Sequence, residues 1–374
     1  MPNYAPGIRF ESGGSMDRPV AMASTSLTAF VGVDVDTTGE IAHGELKLIA
    51  KIGDVDRYVT ANDESSLRLK KVMGSYFVAG GSFCYLAHVN GADEESFSET
   101  LATALDRNKS LSLIAFPGLT EDTTAHAAAY AKIKAYADTR KDLFILIDPP
   151  ADMTYNAALT YFAGLTASSY AAAYFPWVTL NGAEFIPPSG LIAAQYGKVD
   201  NDVGVHQVAA GTQHGVLPAI GVQTKVSQNQ HDAAFNTSLD NFKLNLIRTL
   251  DGYGTTIWGA RTMEAGEFAH ISVRRLFIFA EQSITESLQW VVFEPNNKAL
   301  WGTVHRSITA FLRNLWLRGA LVGNKENEAF YVKISEENNP PSERDAGKLN
   351  IEIGMAPSRP AEFIIIKLVQ STQS

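Results

Sequence analysis

A single cysteine, Cys84, in 374 residues excludes an internal disulfide framework and a CxxC metal site together. Within Gly81–Ala87 it reads as a small buried residue, not a nucleophile. No stretch approaches the ~18 consecutive apolar residues of a membrane helix, so no membrane insertion is expected. Positive charge is scarce, with 31 Lys and Arg against 40 Asp and Glu and a net charge of −9. That balance argues against nucleic acid as the main partner, because phosphate recognition needs a basic surface. The opening Met1–Gly7 has neither the basic n-region nor the apolar h-region of a secretory signal, so assembly in the cytoplasm is expected. The sequons at Asn108 and Asn236 then carry no meaning. GxSxG, HExxH, GxxxxGK[ST] and GxGxxG are all missing. No catalytic residue, cofactor or metal is expected.

Three local patterns invite chemistry and fail on their surroundings. Asp34–Glu45 places oxygen-bearing residues at several EF-hand loop positions, but a strand precedes it and no partner hand follows; it reads as a polar turn. Asp148 follows an apolar strand, where α/β enzymes often place an acid. Pro149 and Pro150 make it a strand-ending turn residue instead. His206 and His214 flank a Gly-containing loop without a Cys or carboxylate to complete a metal site.

The length suggests about two domains. Residues 1–25 are rich in Pro, Gly and Ser and read as an arm. Ile8 and Phe10 form one face of a short extended piece within it. Leu27–Val35 reads as a strand. The middle, 26–240, looks α/β. Leu111–Phe116 and Leu143–Asp148 are continuous apolar runs of the buried parallel kind, with an alanine-rich helix over Ala125–Arg140 between them. Ala171–Val178 reads as a third strand, and 181–235 as a long loop sealed by a neighbour. From 241 to 357 the pattern predicts a helix over Leu239–Leu250, another over Val273–Val292, and a third to about Arg318 capped by Asn296 or Asn297. Ile308, Phe311, Leu312 and Leu315 line the buried face of the third, with Arg306 and Arg313 opposite. Two alternating strands follow. Phe330, Val332 and Ile334 point inward from the first, and Leu349, Ile351 and Ile353 from the second, with a polar turn between.

The arm at 358–374 ends in a run apolar on both faces. Phe363, Ile365 and Val369 point one way, and Ile364, Ile366 and Leu368 the other. Chain ends usually fray, and an apolar edge strand invites another chain. Such a terminus is a central strand of its own fold or a strand lent to a neighbour.

An ordered series of short stretches resembles the contractile tail sheath family of phages, R-type pyocins and extracellular contractile injection systems. It comprises Tyr174–Trp177, Pro187–Gly190, Asn245–Arg248, Ile257–Thr262, Val273–Leu276, Phe293–Asn297, Phe311 and Leu312 with Leu315 and Trp316, and Ala356–Phe363. Tyr4–Ile8 resembles the family's N-terminal arm. Val208–Gly211 departs from an Ala-Pro-Ala-Gly element common in the family. The resemblance implies a non-enzymatic subunit of stacked hexameric rings around an inner tube, joined by baseplate and terminator or cap proteins. It implies an α+β fold with an α/β middle domain. The C-terminal domain would pack helices on a small sheet completed by exchanged N- and C-terminal arms. The lent strands would carry Ile8, Phe10 and Phe363–Leu368, and the acceptor strands would be those at 329–335 and 348–353. Gly13, Gly14, Pro357 and Pro360 would serve as hinges. The basic helix bearing Arg306 and Arg313 would face the tube. The competing reading is a cytoplasmic α/β enzyme, motivated only by the βαβ middle. A tube protein is disfavoured by the C-terminal helices.

Overall fold

The computed structural model describes residues 18–230 and 244–361. The described residues divide into two compact units, one holding those within 23–282 together with 358–361, the other 18–22 and 283–357. The segment from 245 to 258 joins the large sheet and so falls in the larger unit.

In the larger unit the elements run β1 (Thr28–Val33), β2 (Leu46–Ile49), α1 (Ile52–Tyr58), α2 (Glu64–Val78), β3 (Cys84–Val89), α3 (Glu94–Leu105), β4 (Leu113–Phe116), α4 (Thr123–Arg140), β5 (Phe144–Ile147), α5 (Tyr155–Gly164), β6 (Ala171–Phe175), β7 (Val178–Thr179), α6 (Ser189–Asp202), α7 (Gly211–His214), β8 (Gly221–Val222), β9 (Asn245–Leu250), β10 (Gly254–Trp258) and α8 (Ile271–Ser287). Among the described residues, eight strands form one sheet in the order β10-β9-β6-β5-β4-β1-β3-β2. Its interior is parallel, and β10 and β2 close the two ends antiparallel. Successive strand residues face opposite sides. Phe30, Leu113, Ala115, Phe144 and Leu146 enter one core under α2 and α6. Ala29, Val31, Ile114, Ile145 and Ile147 enter the other under α3, α4 and α5. Burial on both faces explains the uninterrupted apolar runs at β4 and β5. Aspartates cap α2, α3 and α4, each accepting from backbone N–H groups of the first turn, as orphan donors at helix starts require.

Two sequence expectations are overturned. The predicted loop at 181–235 contains α6, and nine of its fourteen residues are buried. A helix enclosed on nearly every side shows no amphipathic stripe, and Pro187, Pro188 and Gly190 resemble loop punctuation. Gly190 is there because α2 passes over it: a Cβ at that position would lie 2.2 Å from the Val72 carbonyl oxygen. The predicted helix over Leu239–Leu250 is, from Asn245, strand β9, paired with β10 in a hairpin. Its turn carries Gly252 and Gly254 at φ of 81° and 80°, a left-handed backbone that glycine adopts without a Cβ penalty. The expected strand over Ala171–Val178 divides into β6 and β7, the latter paired with β8 in a separate sheet.

The smaller unit contains the end of α8, a 3₁₀ turn over Gln289–Val291, α9 (Lys298–Leu317), α10 (Glu326–Ala329), β11 (Phe330–Lys333), α11 (Pro341–Asp345) and β12 (Glu352–Met355). Arg18 and Ala21 lie along the end of α8. The Ala21 N–H donates to Ser287 Oγ at 2.8 Å, and the Arg18 guanidinium sits 4.6 Å from the Trp290 ring centre.

Candidate assembly surface

Strands β11 and β12 form a two-stranded antiparallel sheet, pairing Phe330 with Met355, Tyr331 with Gly354, Val332 with Ile353 and Lys333 with Glu352. A sheet of two strands is marginal alone, and each strand here keeps one edge without a ladder partner among the described residues. The expected inward residues are incompletely covered. Phe330 is buried, whereas Val332, Ile334, Leu349, Ile351 and Ile353 are only half-buried. On the other face the half-exposed Tyr331 lies across Gly354 and donates its hydroxyl to Glu352 Oε1 at 2.8 Å. A Cβ at 354 would stand 2.1 Å from that ring.

The strands are shorter than the sequence suggested, and the cause is a clasp of three asparagines. The Asn338 amide donates to the Lys333 carbonyl at 2.9 Å, and its oxygen accepts from the Ser335 N–H at 2.8 Å. The fully buried Asn339 donates to the Asn350 carbonyl at 2.9 Å and accepts from the Asn350 N–H. Asn350 returns a bond to the Asn338 carbonyl at 3.0 Å. Side chains thus occupy backbone groups that a ladder would need. Ile334 therefore falls just beyond β11, and Leu349 and Ile351 precede β12. The polar turn between the strands holds α11. This clasp was not anticipated, although the Asn338-Asn339-Pro340 cluster is a recognisable turn signal.

Helix α9 matches its predicted span. Asn297 caps it, its Oδ1 accepting from the Ala299 and Leu300 N–H groups at 3.0 Å each. Asn296 instead accepts from Trp301 Nε1 at 2.7 Å and donates to the Lys348 carbonyl at 2.8 Å. Trp301, Val304, Ile308, Phe311, Leu312 and Leu315 are buried, and a fully buried aliphatic side chain of this kind stabilises by roughly 1.5–3 kcal/mol. Arg306 and Arg313 are exposed on the other side. Arg306 donates to Thr303 Oγ1 at 3.3 Å. Arg313 forms a forked pair with Glu326, at 2.8 and 3.0 Å. The hydrogen bond and the charge of Glu326 hold Arg313 above its ordinary pKa, and Arg313 holds Glu326 below its own. A pair so open to water adds little stability. From Pro295 to Lys325 there is no Asp or Glu, while Lys298, Arg306, Arg313, Arg318 and Lys325 all carry positive charge. In a chain of net charge −9, this concentrates positive charge on and around one helix.

Other sequence candidates stand apart from this surface. Asp34 Oδ1 accepts from the Gly91 N–H at 2.7 Å, Asp36 Oδ2 accepts from Thr60 and Asn62, and Glu45 Oε2 is turned to Ala42 and Lys47; each carboxylate has its own set of partners. Among the described residues, no group of three His, Cys, Asp or Glu is placed to hold a metal ion, and no helix is long and apolar enough to cross a membrane. Cys84 is buried, and burial pushes its thiol well above the ordinary range, which keeps it un-ionised. Asp148 is fully buried and its Oδ2 accepts from the Ser189 N–H at 3.1 Å, at the start of α6. Pro357 pairs with Leu321 in a single bridge, and the Val322 N–H donates to the Ala356 carbonyl at 2.8 Å. Ile8, Phe10, Gly13 and Gly14, with Phe363, Ile364, Ile365, Ile366 and Leu368, lie outside the described residues.

Comparison with known proteins converges on one family. A family model described as the phage tail sheath C-terminal domain matches residues 265–371. The tail sheath protein of Vibrio phage KVP40 is 24% identical over 191 residues, half of this chain but only 27% of that relative's length. Among solved structures, the contracted helical sheath of the anti-feeding prophage superposes with a TM-score of 0.79 at 30% identity, covering 99% of this chain and all of that one. The contracted sheath complex of PVC, an extracellular contractile injection system, gives 0.78 at 28% identity and covers 99% of each chain.

Proposed function

The chain belongs to the contractile tail sheath family, and we propose that it polymerises as stacked hexameric rings around an inner tube and contracts to drive that tube through a target envelope. It is a structural subunit of a phage tail or phage-tail-like contractile particle, not an enzyme. The reading rests on the open two-stranded sheet of β11 and β12, whose inward residues Val332, Ile334, Leu349, Ile351 and Ile353 are only half-covered. A neighbour's Phe363–Leu368 run and another's Ile8 and Phe10 would add the missing strands, giving both faces of the terminal run something to bury against. Backbone groups at the sheet edges would gain partners at the same time.

Gly13, Gly14, Pro357 and Pro360 would let the lent segments bend while subunits turn as near-rigid bodies. Pro357 is held by its bridge to Leu321, so bending on that side would begin at Ser358. The extended sheath is a kinetically trapped state, held by the tube, the baseplate and a terminator or cap protein. Arg306 and Arg313 would face an acidic tube, which would compete with Glu326 for Arg313, and the absence of acids from the α9 stretch itself favours that contact. Assembly would take place in the cytoplasm. The alternative of a cytoplasmic α/β enzyme falls with the family assignment.

Negative-stain electron microscopy of the purified chain beside a version ending at Pro357 tests the reading. Hollow cylinders from the full chain and none from the shortened one are expected. Cylinders from both would refute exchange of the C-terminal strand.

A further inference from the structure

We propose that Arg275 anchors the N-terminal arm: clasped by Asp200, it grips the Thr25 carbonyl, so that tension passed between subunits along the arm enters the body there, ahead of β1. The inference rests on the strand-exchange reading and gives a role to Val273–Leu276, a stretch to which that reading assigns none. Arg275, on α8, is 5% exposed, and Asp200, on α6, shows only 3% of its side chain. The fork runs from Nη1 to Asp200 Oδ1 at 3.0 Å and from Nη2 to Oδ2 at 2.5 Å. Nη2 also donates to the Thr25 carbonyl at 2.8 Å. The guanidinium lies 4.5 Å from the Tyr196 ring centre, and the Tyr196 hydroxyl is bonded to that of Tyr174 on β6. A cation so enclosed is tolerated because the carboxylate balances its charge and Thr25 supplies a further acceptor. Thr25 cannot withdraw without stranding a buried donor, which then bears its full desolvation cost. At an exposed site water would simply replace the carbonyl.

The chain that follows is held just as closely. Ser26 passes over α6 at Gly197, where a Cβ would lie 3.3 Å from the Ser26 Cβ. The Leu27 carbonyl accepts from the Ser112 and Leu113 N–H groups at 3.0 and 3.1 Å, and β1 begins at Thr28 between β3 and β4. A pull on the arm would therefore meet an ion pair carried by two helices before it reached the interior of the large sheet. Arginine suits the task where lysine would not. Its planar fork engages both carboxylate oxygens and still has an N–H for the carbonyl.

The test uses the full chain in three forms: wild type, Arg275→Lys, and the double Arg275→Met, Asp200→Leu. The double variant removes cation and carboxylate together and leaves no buried charge unpaired. Hydrogen exchange below the assembly concentration reads the grip on the arm, and negative-stain microscopy reads its use in the polymer. In the double variant, exchange over residues 20–27 should quicken at least about tenfold, while the rest of the larger unit exchanges as in wild type. The protein concentration needed for cylinders should rise by a similar factor. Arg275→Lys keeps the charge without the fork and should fall between the two, so it decides the matter if the double variant melts below wild type. Unchanged exchange over 20–27 would overturn the anchor. Exchange quickened throughout the unit would do so too, being the mark of a residue that only stabilises the fold. Normal cylinders from a variant whose 20–27 segment has loosened would show that the polymer does not use the grip, and would also overturn it. If wild type itself forms no cylinders, the sheath reading fails first and takes the anchor's purpose with it.

Discussion

Asp148 shows how burial alone sets the behaviour of one residue. The carboxyl is fully enclosed, its Oδ1 has no hydrogen-bond partner among the described residues, and its Oδ2 accepts from the Ser189 N–H. Burial pushes its pKa up to about 8, against the opposing pull of Ser189. The unfolded chain releases this proton near ~4. The folded protein therefore binds the extra proton between those values, and its stability falls as pH rises through that window. Below about pH 4 this contribution is complete, and above about 8 it is lost. Asp148→Asn should accordingly raise the melting temperature at pH 8–9, with the gain shrinking towards pH 4. Melting curves across that range would show it, and a gain independent of pH would contradict the burial argument. From the sequence alone, Asp148 was correctly placed at a strand end. Its full enclosure was not visible there, because enclosure comes from α6, a helix the sequence reading missed.

At the scale of elements, legibility follows exposure. Helix α9 was readable because it has two unlike faces, and its cap and buried residues emerged where the spacing put them. Helix α6 was not, because nearly all its faces are covered and its glycine marks close packing against α2 instead of a turn. The β9–β10 hairpin runs against the helical spacing of the apolar residues in Leu239–Leu250, although Asp251-Gly252 is a strong hairpin signal. In the smaller sheet, strand positions were legible but strand ends were not, since side-chain amides from a separate turn decide where the ladder stops. On α9, Ile308 is fully buried. Ile308→Ala should therefore destabilise by about 2–5 kcal/mol in urea unfolding, a loss far below that range indicating that the helix face is not packed as described.

For the whole molecule, the decisive features are those a lone subunit does not need. Open strand edges are an aggregation hazard that monomeric proteins usually cover, yet here they sit beside a helix that gathers positive charge in an acidic chain. Reversing Arg306 and Arg313 together to Glu should abolish co-sedimentation with tube while leaving the subunit folded. Exposed charge contacts are screened by salt, so tube binding by the wild type should weaken between low salt and ~0.5 M. Binding unaffected by both treatments would place the tube contact elsewhere.

The two-stranded sheet has one more consequence. If strands are exchanged as proposed, every copy would present the same sheet edges and lend the same strands, and the last subunit added would be chemically identical to the first. Such a polymer has no means of counting. Growth would stop only when something outside the subunit occupies the terminal edges or when the track beneath it ends, so length is a property written elsewhere in the particle.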